Sequence, residues 1–336
     1  MTELARIAQA MVAKGRGILA ADESTGTIGK RFERIAVDNV EENRRAYRDM
    51  LFTAPGLGQT ISGVILYDET LRQSSADGTR FADLLTRNDI IPGIKVDAGA
   101  KDLPLFPGEQ ITEGLDGLAK RCTEYVALGA RFAKWRAVIN IGKGMPSNGC
   151  IVANAHALAR YAAICQSTGL VPIVEPEVIM DGEHSIDTCE RVTEWALHET
   201  FSALANQRVV LEEMVLKPSM VISGSQCAQQ AGPQEVAERT LRLLKRTVPA
   251  AVPGIAFLSG GQSDELATDH LDRMNKLGGL PWALTFSYGR ALQQPAIKAW
   301  AGKAANVPAA QAALLHRARM NSLAAMGQYS AALESR

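Results

Sequence analysis

The chain has 336 residues, 46% of them hydrophobic, which is enough for a large core. Lys+Arg and Asp+Glu balance at 36 each, so no global field points to nucleic acid or an anionic membrane, and any anion site must be a local cluster. The opening MTELARIAQAMVAKGRG carries Glu3, Arg6, Lys14 and Arg16 in an amphipathic pattern, neither a secretory signal nor a membrane span, so a cytoplasmic protein is expected.

Residues 1–16 predict a helix. Apolar runs of strand length follow at 17–21, 62–67, 92–96, 131–138, 171–174, 209–217, 255–258 and 282–286, each trailed by a helical pattern. Between them, Leu115, Leu118, Ala119, Cys122, Tyr125 and Val126 recur at three-and-four spacing. Helix ends carry the expected punctuation: Gly232-Pro233 opens one, Ser263 before Asp264 and Glu265 opens another, and Gly278-Gly279 with Pro281 closes it. Strands in strict alternation with helices predict an α/β fold, a closed (β/α)8 TIM barrel, because parallel strands need crossovers and bury both faces. The expected organisation is one domain over 1–336: an N-terminal helix (1–16), the barrel (17–306), a C-terminal helical extension (307–327) and a tail (328–336) with too little apolar content to pack firmly.

Cys122, Cys150, Cys165, Cys189 and Cys227 lie far apart without C-x-x-C spacing, and read mostly as buried thiols. His156, His184, His198, His270 and His316 are scattered without metal-ligand spacing, so neither a metal nor another cofactor is expected.

In such a barrel the active site lies at the C-terminal ends of the strands, and there the sequence is dense in charge. The first strand ends Ala21-Asp22-Glu23-Ser24; the third contains Lys95; the fourth carries Lys134 and Arg136 on one face; the fifth ends Glu175-Pro176-Glu177. The sixth supplies Lys217, the seventh Ser259-Gly260-Gly261, and the eighth Ser287-Tyr288-Gly289-Arg290. Singly these are ordinary: Asp22 or Ser24 can cap a helix, and Lys134 and Arg136 can form ion pairs with the glutamates. Together they are too many charges at one mouth to keep out of water without use. Ser-Gly-Gly before a helix, beside Arg290, suits phosphate, and loops seven and eight are the usual phosphate site of these barrels.

Lys217 closes the run VVLEEMVLKPSMV, in which Leu211, Glu213, Val215 and Lys217 share one face if 209–217 is a strand that Pro218 stops. A buried amine beside another cation such as Lys134 can lose its proton near neutral pH, and a neutral amine can form a Schiff base with a ketone.

GILAADESTGTIGKR (17–31), GVILYDETL (63–71), GIKVDAG (93–99), FAKWRAV (132–138), VPIVEPE (171–177), VLKPSMV (215–221), FLSGGQS (257–263) and PWALTFSYGRALQ (281–293) closely resemble class I fructose-bisphosphate aldolases, from about residue 4 to Tyr329. The resemblance implies a glycolytic and gluconeogenic lyase that reversibly cleaves fructose 1,6-bisphosphate to dihydroxyacetone phosphate and glyceraldehyde 3-phosphate. Lys217 matches the imine-forming lysine and Glu175 the acid/base group of carbinolamine dehydration, with Lys134 and Glu177 beside it. Asp22 matches the base for the hydroxyl on the carbon released as aldehyde. Ser259, Gly260, Gly261, Gly289 and Arg290 fall on the positions for the ketone-side phosphate, with Ser287 adjoining. Ser24, Thr27, Arg31 and Lys95 fall on those for the other phosphate, and Arg136 and Arg44 on weaker substrate contacts. A homotetramer is the family expectation. Thr27 stands where the animal enzymes have serine. Those enzymes also carry a tail ending in a tyrosine that assists proton exchange at the enamine, whereas this sequence closes on Glu334-Ser335-Arg336. A transaldolase-type barrel would need only one strong phosphate site, which the second cluster around Lys95 and Arg31 disfavours. A sugar-phosphate-binding scaffold would not need the full ionisable set.

Overall fold

The computed structural model describes residues 1–335. Ten strands form among them: β1 (Gly17–Ala21), β2 (Ile61–Leu66), β3 (Ile91–Lys95), β4 (Ala100–Asp102), β5 (Gln110–Thr112), β6 (Phe132–Ile139), β7 (Val171–Val178), β8 (Val215–Leu216), β9 (Gly254–Phe257) and β10 (Ala283–Tyr288). Eight close into a parallel barrel in the order β1-β10-β9-β8-β7-β6-β3-β2, as expected, and β4 with β5 makes a separate antiparallel hairpin. That hairpin was not foreseen, because three-residue strands are too short to show alternation.

Strand alternation positions the site. Inward-facing residues begin apolar at the lower end: Ile18 and Ala20, Phe132, Val171 and Ile173, and Val215 form one buried cluster inside the barrel. The next residues on those faces are Asp22, Lys134, Glu175 and Lys217. The opposite faces, including Leu19, Trp135, Val174 and Leu216, pack under the surrounding helices in the main core. Ala8 and Met11 of the N-terminal helix Glu3–Met11, with the adjoining Val12, complete the inner cluster, so that helix plugs the lower end. Gly93 makes room for the ring filling the interior: a Cβ there would lie 2.2 Å from Phe132. At the other end of the chain the predicted extension is the helix Val307–Ala325.

Three expectations need correction. The stretch 209–217 is not one strand: Leu211–Glu213 is a 3-10 turn, and only Val215–Leu216 joins the barrel. The Gln166 side chain explains this, since its amide accepts from Val210 N (3.0 Å) and donates to the carbonyls of Val210 (2.8 Å) and Glu213 (3.3 Å), satisfying the backbone without a ladder. Conversely, the strand predicted at 171–174 continues to Val178 and contains Glu175, Pro176 and Glu177. Val174 accepts from Lys217 N at 2.8 Å, so residue 176, two further on, faces the side where β8 has already stopped; the missing proline N–H interrupts no ladder. Third, the tail is anchored, by packing of Tyr329 and Leu333 against the main core as well as by polar contacts. Tyr329 is buried, and Glu334 accepts from Arg317 (2.5 and 2.6 Å) and from the Tyr329 hydroxyl (2.9 Å). The last residue of the predicted tail, Arg336, lies outside the described residues.

Candidate active site

Lys217 follows β8 directly, and its Nζ lies 3.2 Å from Glu175 Oε1. The other oxygen of Glu175 lies 3.5 Å from Lys134 Nζ, which in turn lies 2.7 Å from Asp22 Oδ2. Two lysine amines and two acidic side chains thus alternate in a chain, all four buried at the C-terminal mouth. Burial by itself would raise the Asp22 carboxyl, but the charges of Lys134 and Lys217 outweigh it and hold the group at about 2. Burial likewise disfavours the Lys134 ammonium, yet Asp22, Glu175 and Asp97 outweigh it and hold that group well above the ordinary lysine range.

Around this chain stand further pairs. Glu177 takes the Arg136 guanidinium beside it. Lys95, in register with Lys134 on the neighbouring strand, bonds Asp97 Oδ1 at 2.6 Å. Ser24 caps the helix Thr25–Glu33, and its hydroxyl lies 3.1 Å from that of Thr27. Arg31 pairs with Glu23 at 2.6 Å, and its Nη2 lies 3.9 Å from where a Gly289 Cβ would stand, so it also adjoins the loop after β10. Arg290 Nη1 lies 3.1 Å from Asp264 Oδ1, and its Nη2 donates to the carbonyls of Gly260 and Gln262. Ser259 and Ser287 are buried, and the Ser287 hydroxyl has no partner among the described residues. Arg44 stands apart: its guanidinium is taken by Glu69, at 2.8 and 2.6 Å, and by Asn39.

Three carboxylates that the sequence reading passed over without a role at the site prove to be partners of its cations. Asp97 takes the N–H of Gly99 as well as Lys95. Glu23 is shared by Arg31 and the buried Arg48 (2.7 Å) and accepts from Gln293 Nε2 (2.8 Å). Asp264 opens the helix Asp264–Leu277 and orients Arg290. The available signal was the excess of cations at the mouth, since buried cations need partners. Among the described residues no group of three or more His, Cys, Asp or Glu side chains could hold a metal ion.

An amine against a carboxylate, itself shared with a second ammonium, can form and dehydrate a carbinolamine, and the surrounding cations and glycine N–H groups can hold anions. Comparison with known proteins agrees. The family model "Fructose-bisphosphate aldolase class-I" matches residues 3–336. A probable fructose-bisphosphate aldolase class 1 of Xanthomonas axonopodis pv. citri is 60% identical over 328 residues, 97% of this chain and 98% of that one. The cytosolic fructose-bisphosphate aldolase 4 of Arabidopsis thaliana is 56% identical, over 94% of this chain and 80% of its own. The solved fructose-bisphosphate aldolase of Plasmodium falciparum, in complex with TRAP and a small-molecule inhibitor, superposes with a TM-score of 0.97 at 53% identity, covering 98% of this chain and 95% of that one. The chain belongs to the class I fructose-bisphosphate aldolase family, lyases that cleave fructose 1,6-bisphosphate reversibly through a lysine Schiff base.

Proposed function

We propose that Lys217 is the amine that forms the imine with the substrate ketone. The observation that carries this reading is the buried sequence Lys217–Glu175–Lys134–Asp22 at the barrel mouth. Glu175, within reach of Lys217, exchanges the protons of carbinolamine formation and dehydration, and Lys134 and Glu177 set its surroundings. Asp22 takes the proton of the C4 hydroxyl. Its proton transfer is matched to the electron flow: as the C3–C4 bonding pair moves into the iminium, the nitrogen on Lys217 becomes a neutral enamine. One of the three charges that depress Asp22, those of Lys134, Lys217 and Lys95, thereby disappears as Asp22 accepts the proton.

Ser259, Gly260, Gly261, Ser287, Gly289 and Arg290 hold the ketone-side phosphate, and Ser24, Thr27, Arg31 and Lys95 the other, with Arg136 and Arg44 at the margin. The substrates are sugar phosphates. The barrel and its terminal helices act as one domain in a homotetramer, and the protein works in the cytoplasm. Two facts support the last point: among the described residues no helix is long and apolar enough to cross a membrane, and the Arabidopsis relative is named cytosolic.

Borohydride reduction in the presence of dihydroxyacetone phosphate, followed by peptide mass spectrometry, tests the central assignment. One triose-phosphate adduct on Lys217 is expected. An adduct on Lys134 or Lys95 instead would refute it.

A further inference from the structure

The loop after β9 is held by a residue that the reaction chemistry does not require. Gly261 N donates to Met180 Sδ at 2.8 Å. A Cβ on Gly261 would lie 2.7 Å from that sulfur and one on Gly260 3.6 Å, so the thioether rests against both glycines. Met180 lies two residues beyond β7 and is only half-buried, which leaves its side chain room to move.

We propose that Met180 is a positioning residue of the ketone-side phosphate site, holding the Gly261 N–H with its thioether until phosphate takes that same donor. The inference rests on Gly260 and Gly261 being phosphate donors, as argued above. A backbone amide has one proton to give, so the sulfur and a phosphate oxygen compete for it directly. A thioether is a weak, uncharged acceptor on a side chain with three rotatable bonds, whereas phosphate is a charged one. Met180 therefore keeps the donor occupied and the loop in shape, yet gives way at little cost. A weaker acceptor at this position should favour phosphate, and a stronger one should oppose it.

The test is a graded series at this position read with fructose 1-phosphate, whose only phosphate is the ketone-side one. Met180→Leu keeps the bulk and removes the acceptor. It should lower KM about three- to tenfold with kcat within about twofold of the parent, and lower the inhibition constant of inorganic phosphate by a similar factor. Met180→Gln offers an amide oxygen and should raise both quantities. A residue that merely packs would shift KM the same way in both variants, or in neither, and either result overturns the proposal. Arg290→Ala run alongside separates the two layers of argument. If it weakens phosphate while the Met180 series is flat, only the role of Met180 falls; if it too leaves phosphate binding unchanged, the site assignment itself falls.

Discussion

Lys134 Nζ and Asp22 Oδ2 meet at 2.7 Å, joining β6 to the residue that follows β1 although β3 and β2 stand between them in the barrel wall. The contact therefore spans the mouth rather than running along the wall. It also has a sign in pH. Asp22 falls from an ordinary 3.8 to about 2 in the folded chain, so its stabilising contribution is present above about pH 4 and is lost as pH falls towards 2. The shift amounts to roughly 2 kcal/mol. Lys134→Met should remove this part of the acid transition. The measurement is the difference in unfolding free energy between parent and variant at pH 6 and pH 3, which should shrink at the lower pH; a constant difference would show that Asp22 gains nothing from Lys134.

Replacing Lys217 by Met should abolish borohydride-dependent labelling and lower kcat by more than about a thousandfold. The far-ultraviolet circular dichroism should be unchanged, because Val215 and Leu216 still build β8. Residual imine formation in the variant would identify a second reactive lysine.

Activity should survive exhaustive EDTA treatment, since the imine supplies the electron sink that a Lewis acid would otherwise provide. Inactivation by EDTA that added zinc reverses would contradict this.

The two anion clusters should separate by substrate. Arg290→Ala should weaken fructose 1,6-bisphosphate and fructose 1-phosphate alike, on the order of 2–5 kcal/mol if the lost charge pair is desolvated. Lys95, held by Asp97 on the other side of the mouth, should matter mainly for the bisphosphate, so Lys95→Ala should lower the ratio of the two kcat/KM values. Equal losses on both substrates in both variants would collapse the two sites into one.

Glu23→Gln leaves Arg31 and the buried Arg48 without their shared carboxylate. Removing one member of a buried ion network costs about 3–5 kcal/mol, so a clear fall in the denaturant midpoint is expected. The Gln293 contact and the barrel itself should remain, and an unchanged midpoint would mean that Arg48 finds other acceptors.

The barrel was legible because its strands are apolar runs and its helices carry caps and glycine stops, signals local to each segment. The members of the buried charge chain were legible for the same reason, since Lys134 and Glu175 interrupt apolar runs and Asp22 and Lys217 end them. What escaped was set at a distance. The backbone at 210–213 is satisfied by Gln166, more than forty positions away, so an apolar run that looks like a strand becomes a turn. Glu23 sits beside Asp22 in sequence but meets Arg31 and Arg48, while Asp97 and Asp264 are visible only as partners of cations. A single sequence shows where charge gathers but not which pairs share a proton or a donor.

The brevity of β8 has a further consequence. It is joined to β7 at two positions and to β9 at one, whereas β6 and β7 are laced together over eight. The wall thus has its fewest strand pairings immediately before Lys217, and beyond β8 single bonds carry both seams onward, Lys217 N to Val174 O at 2.8 Å and Leu258 N to Pro218 O at 3.2 Å. On the proposed role of Lys217, its flexible four-carbon stem, rather than the backbone, accommodates the passage from tetrahedral amine to planar imine, so a short strand suffices to deliver the amine to the mouth.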